Sequence, residues 1–184
     1  MQADAIRTAT LEAFADTVVP GEKRGDDDVS VAGAAAGGGA VAAGALELLA
    51  TDGAGMEPIL DGLVAALNDH ATEWAARRGL ALDRDLPAFV ALPFGERTGL
   101  VSELVGPGHA EKELWVSLAL FSNMAYDSAA HLSTVEALAA GHPGLRAMGI
   151  DPPDPDGLWR FPDFSYRRPL ARLHPGTTAS GSPA

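Results

Sequence analysis

Residues 111–131 read EKELWVSLALFSNMAYDSAAH, and the fold class turns on this stretch. It carries neither Pro nor Gly and is long enough for about six helical turns. Asn123, Asp127 and His131 fall four residues apart, so on a helix they stack along one face. Leu114, Trp115, Leu118, Phe121, Met124 and Ala125 cover the remaining directions. A helix apolar on nearly all sides belongs in the middle of a domain, and polar groups buried there need partners or a purpose. The expectation is a central apolar helix crossed by one polar line.

Outward from this stretch the pattern stays helical. Leu11, Phe14, Ala15, Val18 and Val19 form an apolar stripe at helical spacing, with Thr8 or Thr10 as the cap and Pro20-Gly21 as the stop. GEKRGDDD, residues 21–28, reads as a solvated charged loop, and a helix is expected from about Ala40 to Ala50. Pro58 opens the next helix, whose inner face is Leu60, Leu63, Val64, Leu67, Ala71, Trp74 and Ala75, with Gly79 as its C-terminal stop. Short helices follow at Phe89–Leu92 and Arg97–Val105, broken by Pro93 and ended by Gly106-Pro107-Gly108. After the central stretch come a helix over Thr134–Ala140 and a turn at His142-Pro143. No set of alternating strands appears. The class is all-α, a compact bundle of about five to seven helices around a central one.

From Ile150 onward prolines recur too often for helix or central strand. Leu158, Trp159, Phe161, Phe164 and Tyr166 are nevertheless too apolar for a free tail. The expected organisation is one helical domain over residues 1–174, with 151–174 as an extended strap packed on it and 175–184 as a disordered tail.

The 184 residues suit one domain with a true core, 47% of them hydrophobic. A formal charge of −12 argues against nucleic acid and anionic membranes as partners, since phosphate binding needs a basic surface. The chain has no cysteine, which excludes disulfides, thiolate metal sites and a thiol nucleophile. MQADAIRTATLEAF lacks the basic and apolar regions of a signal peptide. Residues 29–46, rich in Gly and Ala, are too weakly apolar to span a bilayer. The expected location is cytoplasmic. Val29-Ser30-Val31 followed by glycines suggests a nucleotide loop, but Gly33, Gly37, Gly38 and Gly39 do not match G-x-G-x-x-G. A loop that lets helices pack closely is the better reading, and no cofactor is called for.

Several segments resemble the small-subunit family typified by subunit 3 of membrane-bound gluconate 2-dehydrogenase. LEAFADTVVP carries Leu11, Asp16, Val18, Val19 and Pro20 of its early L-x-x-x-x-D-x-[IV]-[IV]-P pattern. Phe89, Leu92, Arg97, Leu100, Val101 and Leu104 match a middle F-x-x-L…R-x-x-L-[VI]-x-x-L pattern. LWVSLALFSNMAYDSAAH and DGLWRFPDFSYRRP match a late aromatic helix and its tail. The chain also resembles a set of actinobacterial proteins of this length that have no established activity. The gluconate-type resemblance implies a non-catalytic accessory subunit that helps a large FAD-dependent oxidoreductase of the glucose-methanol-choline class to fold. Trp159, Phe161, Phe164, Tyr166 and Arg167 of the strap would then touch that larger subunit. No secretion signal is expected from these residues, which would be a departure from the family.

From the residues alone, Asp127 and His131 at i,i+4 make a base with its orienter, Asn123 beside them, but no nucleophile is singled out among Ser122, Ser128 and Tyr126. They define the alternative, a cofactor-independent enzyme or small-molecule binding protein with its pocket there; as structure, they form a polar network that positions the helix. His70 and Glu73 share a helix face, and with Asp127 and His131 they would offer a two-His, two-carboxylate metal set. Surface placement on an amphipathic helix explains His70 and Glu73 equally well, and no metal is expected. His109, His142 and His174 stand beside Gly, Ala or Pro in loops, where exposure is expected.

Overall fold

A computed structural model describes residues 2–150 and 175–176. The strap, with Trp159, Phe161, Phe164, Tyr166 and Arg167, lies outside the described residues, as does His174. The described chain is all-α and runs α1 (Ala3–Val18), α2 (Ala45–Leu49), α3 (Leu60–Arg78), α4 (Ala88–Ala91), α5 (Phe94–Leu104), α6 (Lys112–Ser128), α7 (Thr134–Ala139) and α8 (Pro143–Ala147). Two 3-10 turns, Asp52–Ala54 and Glu57–Ile59, lead into α3.

The central helix is α1, not α6. It packs against α2, α3, α4, α5 and α6, and eight of its sixteen residues are buried, against four of seventeen in α6. From Ala9 to Thr17 burial runs almost all the way round the helix, taking in Thr10, Asp16 and Thr17 with the apolar residues. Small and polar side chains hide this from a hydrophobic pattern: Ala9, Ala13 and Ala15 let neighbours approach, while Thr17 Oγ1 donates to the Ala13 carbonyl at 2.7 Å. By contrast, α6 buries one stripe, Trp115, Leu118, Ser122 and Ala125, and turns Val116, Leu120, Asn123 and Asp127 outward. These outward positions recur at i, i+4, i+7 and i+11, the opposite face of the same helix.

The core closes on aromatic rings from three elements. Phe14 stands 6.3 Å from Phe89 and 6.4 Å from Trp115, all three fully buried. Alongside them, α3 buries Leu60, Leu63, Val64, Leu67, Ala71, Trp74 and Ala75, the whole set expected from its spacing. Gly79 ends α3 in the left-handed region at φ 66°, where a residue without Cβ carries no steric penalty. Pro93 interrupts α4 and serves as the N-cap of α5.

Residues 19–44 take no regular structure, and Val29-Ser30-Val31 is not a strand. The segment is fixed instead by polar clamps. Asp28 accepts from the backbone N–H groups of Ser30 and Val31 and from the Arg24 guanidinium, which also holds Glu12 of α1. Burial alone would raise the Asp28 carboxyl, but the Arg24 side chain and the backbone N–H groups of Val31 and Arg24 hold it well below the usual carboxylate range. The stretch expected to be a solvated charged loop is an exposed loop from Glu22 to Asp27, and this clasp orders it. Where this segment folds back, a Cβ on Gly39 would stand 2.4 Å from the Val19 carbonyl oxygen, so two backbones meet where only glycine fits.

At the far end, α7 starts on a capping box between Ser133 and Glu136. His142 is buried and caps α8, accepting from the Leu145 N–H and facing the Ala43 carbonyl at 3.1 Å through Nε2. The expectation of an exposed turn there fails because the ring's two nitrogens are used on backbone groups. Among the described residues, no helix is long and apolar enough to cross a membrane.

Candidate functional site

The line Asn123, Asp127, His131 does not survive as a unit. Asn123 Nδ2 donates to Asp127 Oδ2 at 2.8 Å on the exposed face of α6. The helix stops at Ser128 because Ala129 turns into the left-handed region at φ 48°, which breaks the four-residue register before His131. The imidazole swings to the α2 side and packs on Gly44, where a Cβ would lie 2.4 Å from its Nε2. Its Nδ1 is buried and finds no hydrogen-bond partner among the described residues. Burial pushes the His131 imidazole below its ordinary value; Glu47 opposes this and His142 adds to it. The base-and-orienter pair expected from i,i+4 spacing is absent.

The metal set His70, Glu73, Asp127, His131 is not assembled either. Glu73 is exposed on α3. His70 Nε2 lies 2.8 Å from Glu111 Oε2 at the start of α6, whereas Asp127 stands sixteen residues further along, about 24 Å away at helical rise.

The structure builds a different cluster around His70. The segment before α6 reads Gly108-His109-Ala110-Glu111, and its turn places the His109 ring so that Nδ1 accepts the Glu111 backbone N–H at 3.2 Å. The His70 and His109 rings meet edge to face, 5.6 Å between centroids. One ligand-type atom from each of His70, His109 and Glu111 lies within 4.8 Å of the others, and all three residues are half-buried. Trp115, one helical turn after Glu111, is buried by its ring, while its Nε1 donates to the same Glu111 Oε2 at 3.1 Å. His70 also packs edge-on to Trp115 at 5.8 Å. The His70 hydrogen bond draws the Glu111 carboxyl below its ordinary value; partial burial opposes this, and the Trp115 bond and the charges of His70 and His109 reinforce it.

Beside this cluster, α3 and α6 enclose a groove of about 290 Å³ lined by Ile59, Leu63, Ala66, Leu114, Trp115 and Glu111. Its lining is apolar apart from one carboxylate, Glu111.

A family model matches residues 5–184 and is described as a family of unknown function, DUF5987. The chain belongs to DUF5987. Comparison with curated proteins and with solved structures returns no match.

Within this DUF5987 chain, the polar residues of the resemblance patterns lie in the core. Asp16 accepts from Gly21 and Ala32 backbone N–H groups at 3.1 and 2.8 Å. Arg97 donates to the carbonyls of Ser30, Leu92 and Val90. Neither side chain reaches solvent to any extent. His109 and Glu111 escaped the sequence reading because His70 is 41 residues from Glu111. The available signal was the H-x-E spacing ahead of a helix, with Trp115 one turn further on.

Proposed function

We propose that this protein is a non-catalytic accessory subunit, the small partner of a larger FAD-dependent oxidoreductase of the glucose-methanol-choline class. The observation that carries the reading is the placement of Asp16 and Arg97. The polar residues shared with the gluconate-type small subunits are spent on backbone groups of residues 19–44 and on the turn after α4. Both matched polar residues therefore hold the scaffold, which favours a structural role over a catalytic one. The outward face of α6 supports it. Val116 and Leu120, 39% and 53% exposed, stand opposite the buried stripe, and exposed apolar residues in a row suit a protein surface. The alternative pocket at Asn123, Asp127 and His131 draws no support from the geometry, since His131 and Asp127 face different surroundings.

The test is affinity purification of the tagged full chain from the cells that encode it. Co-purification of a larger flavin-containing subunit in fixed stoichiometry is expected, with its recovery reduced in a Val116→Asp, Leu120→Asp variant that melts like the wild type. Recovery of the chain without any flavoprotein overturns the proposal.

A further inference from the structure

We propose that His70, His109 and Glu111 form a site for a single divalent transition-metal ion, with Zn²⁺ the best fit, whose open coordination positions face the apolar groove between α3 and α6. Two imidazoles and one carboxylate are the donor set of metal centres that keep positions free for water or a small ligand. Acidic surface clusters are common without any ion, but here two of the three ligands are histidines, and all three are half-buried.

The supporting shell is also in place. Trp115 Nε1 anchors one oxygen of Glu111 and leaves Oε1 available, as outer partners of ligating carboxylates commonly do. Tetrahedral Zn²⁺ with bonds near 2.1 Å needs its ligand atoms about 3.4 Å apart. The three atoms already lie within 4.8 Å, so binding would require them to draw together by roughly 1 Å, through small rotations of the His70 and His109 rings. The ion would replace the direct His70–Glu111 hydrogen bond and would tie α3 to the start of α6. Glu111 belongs to both the cluster and the groove lining, so a ligand lying on Leu63, Leu114 and Trp115 would bring its polar end to the ion. The ligand chemistry this fits is a small, mainly apolar molecule with one anionic or carbonyl oxygen.

The test uses the full chain stripped with chelator and titrated with Zn²⁺ by calorimetry, with Mg²⁺ as the hard-cation control. One Zn²⁺ per chain in the micromolar range or tighter is expected, with no comparable Mg²⁺ binding and a higher melting temperature on loading. Co²⁺ in place of Zn²⁺ should give the visible absorption of a low-coordinate site. His109→Ala and Glu111→Gln should each weaken Zn²⁺ at least tenfold while the metal-free proteins melt near the wild type, and His131→Ala should leave affinity unchanged. Should His70→Ala unfold the chain, the His109 and Glu111 variants still decide the matter. Zn²⁺ affinity unaltered by both variants, or no binding tighter than that of Mg²⁺, overturns the site.

Discussion

Asp16 and Arg97 hold the same loop, the carboxylate by its N–H groups and the guanidinium by its carbonyls. Asp16 takes Gly21 and Ala32, while Arg97 reaches Ser30 at 2.6 Å and, more distantly, Val29 at 3.4 Å. Burial disfavours the charged form of Arg97 and the Asp16 charge offsets part of that. The two are thus coupled through charge as well as through the loop. A buried charge satisfied this way contributes little net stability but is costly to break, because the partner is left uncompensated.

Arg97→Met should therefore destabilise the fold by roughly 3–5 kcal/mol. Arg97→Lys should cost roughly 2 kcal/mol, since an ammonium on a flexible stem cannot serve carbonyls in several directions as a planar fork does. Urea denaturation measures both. A lysine variant within about 0.5 kcal/mol of wild type would mean that the fork geometry is unimportant.

The placement of α1 at the centre gives a graded prediction. Phe14→Ala should cost about 3–5 kcal/mol and Leu118→Ala about 2–5 kcal/mol, as for other emptied core sites. Leu120→Ala, on the outward face of the same helix as Leu118, should stay within about 0.5 kcal/mol. Equal losses at Leu118 and Leu120 would contradict the one-sided burial of α6.

Gly44 sits at φ 86° with His131 against it. Gly44→Ala should cost roughly 2–4 kcal/mol, about 1–2 of it from the left-handed backbone and the rest from collision with the imidazole. Combining it with His131→Ala should recover about 1 kcal/mol relative to the sum of the single changes, the signature of two residues in contact. Strict additivity in chemical denaturation would separate the two positions.

Two groups set opposite parts of the acid response. His131 has a folded value pushed below its ordinary 6.5 by burial, so the unfolded chain binds more protons between the two values and stability rises with pH across that window. Its contribution is complete above the unfolded value and is lost as pH falls through it. Asp28 is held far below its ordinary 3.8, so its contribution is complete above that value and is lost only in stronger acid. Urea midpoints measured from about pH 8 to pH 3 should show both limbs. His131→Gln should flatten the upper one and Asp28→Asn the lower one. A His131→Gln profile that parallels wild type between about pH 7 and pH 5 would show that His131 titrates as it does in the unfolded chain.

Where local rules act alone, the sequence was sufficient. The inner face of α3 followed from a clean 3.6-residue period stopped by Gly79, although Pro58 lies in the 3-10 turn before the helix, and Pro93 marked the break between α4 and α5. These depend on residues within a few positions of one another, and the all-α class followed from the same periodicity. Which helix lies at the centre did not. On α6 both faces carry apolar side chains, and periodicity cannot say which one meets the core. On α1, meanwhile, Ala, Thr and Asp conceal a helix that is enclosed on nearly every side. Burial of Asp16 and Arg97 depends on backbone groups brought in from residues 19–44, and no hydrophobic pattern encodes an acceptor supplied from so far along the chain. The same distance explains the histidines. Spacing alone paired His131 with Asp127, but one left-handed residue, Ala129, turned it toward Gly44. Packing of α3 against the start of α6 then gave His70 the partners, His109 and Glu111, that only the tertiary structure could supply.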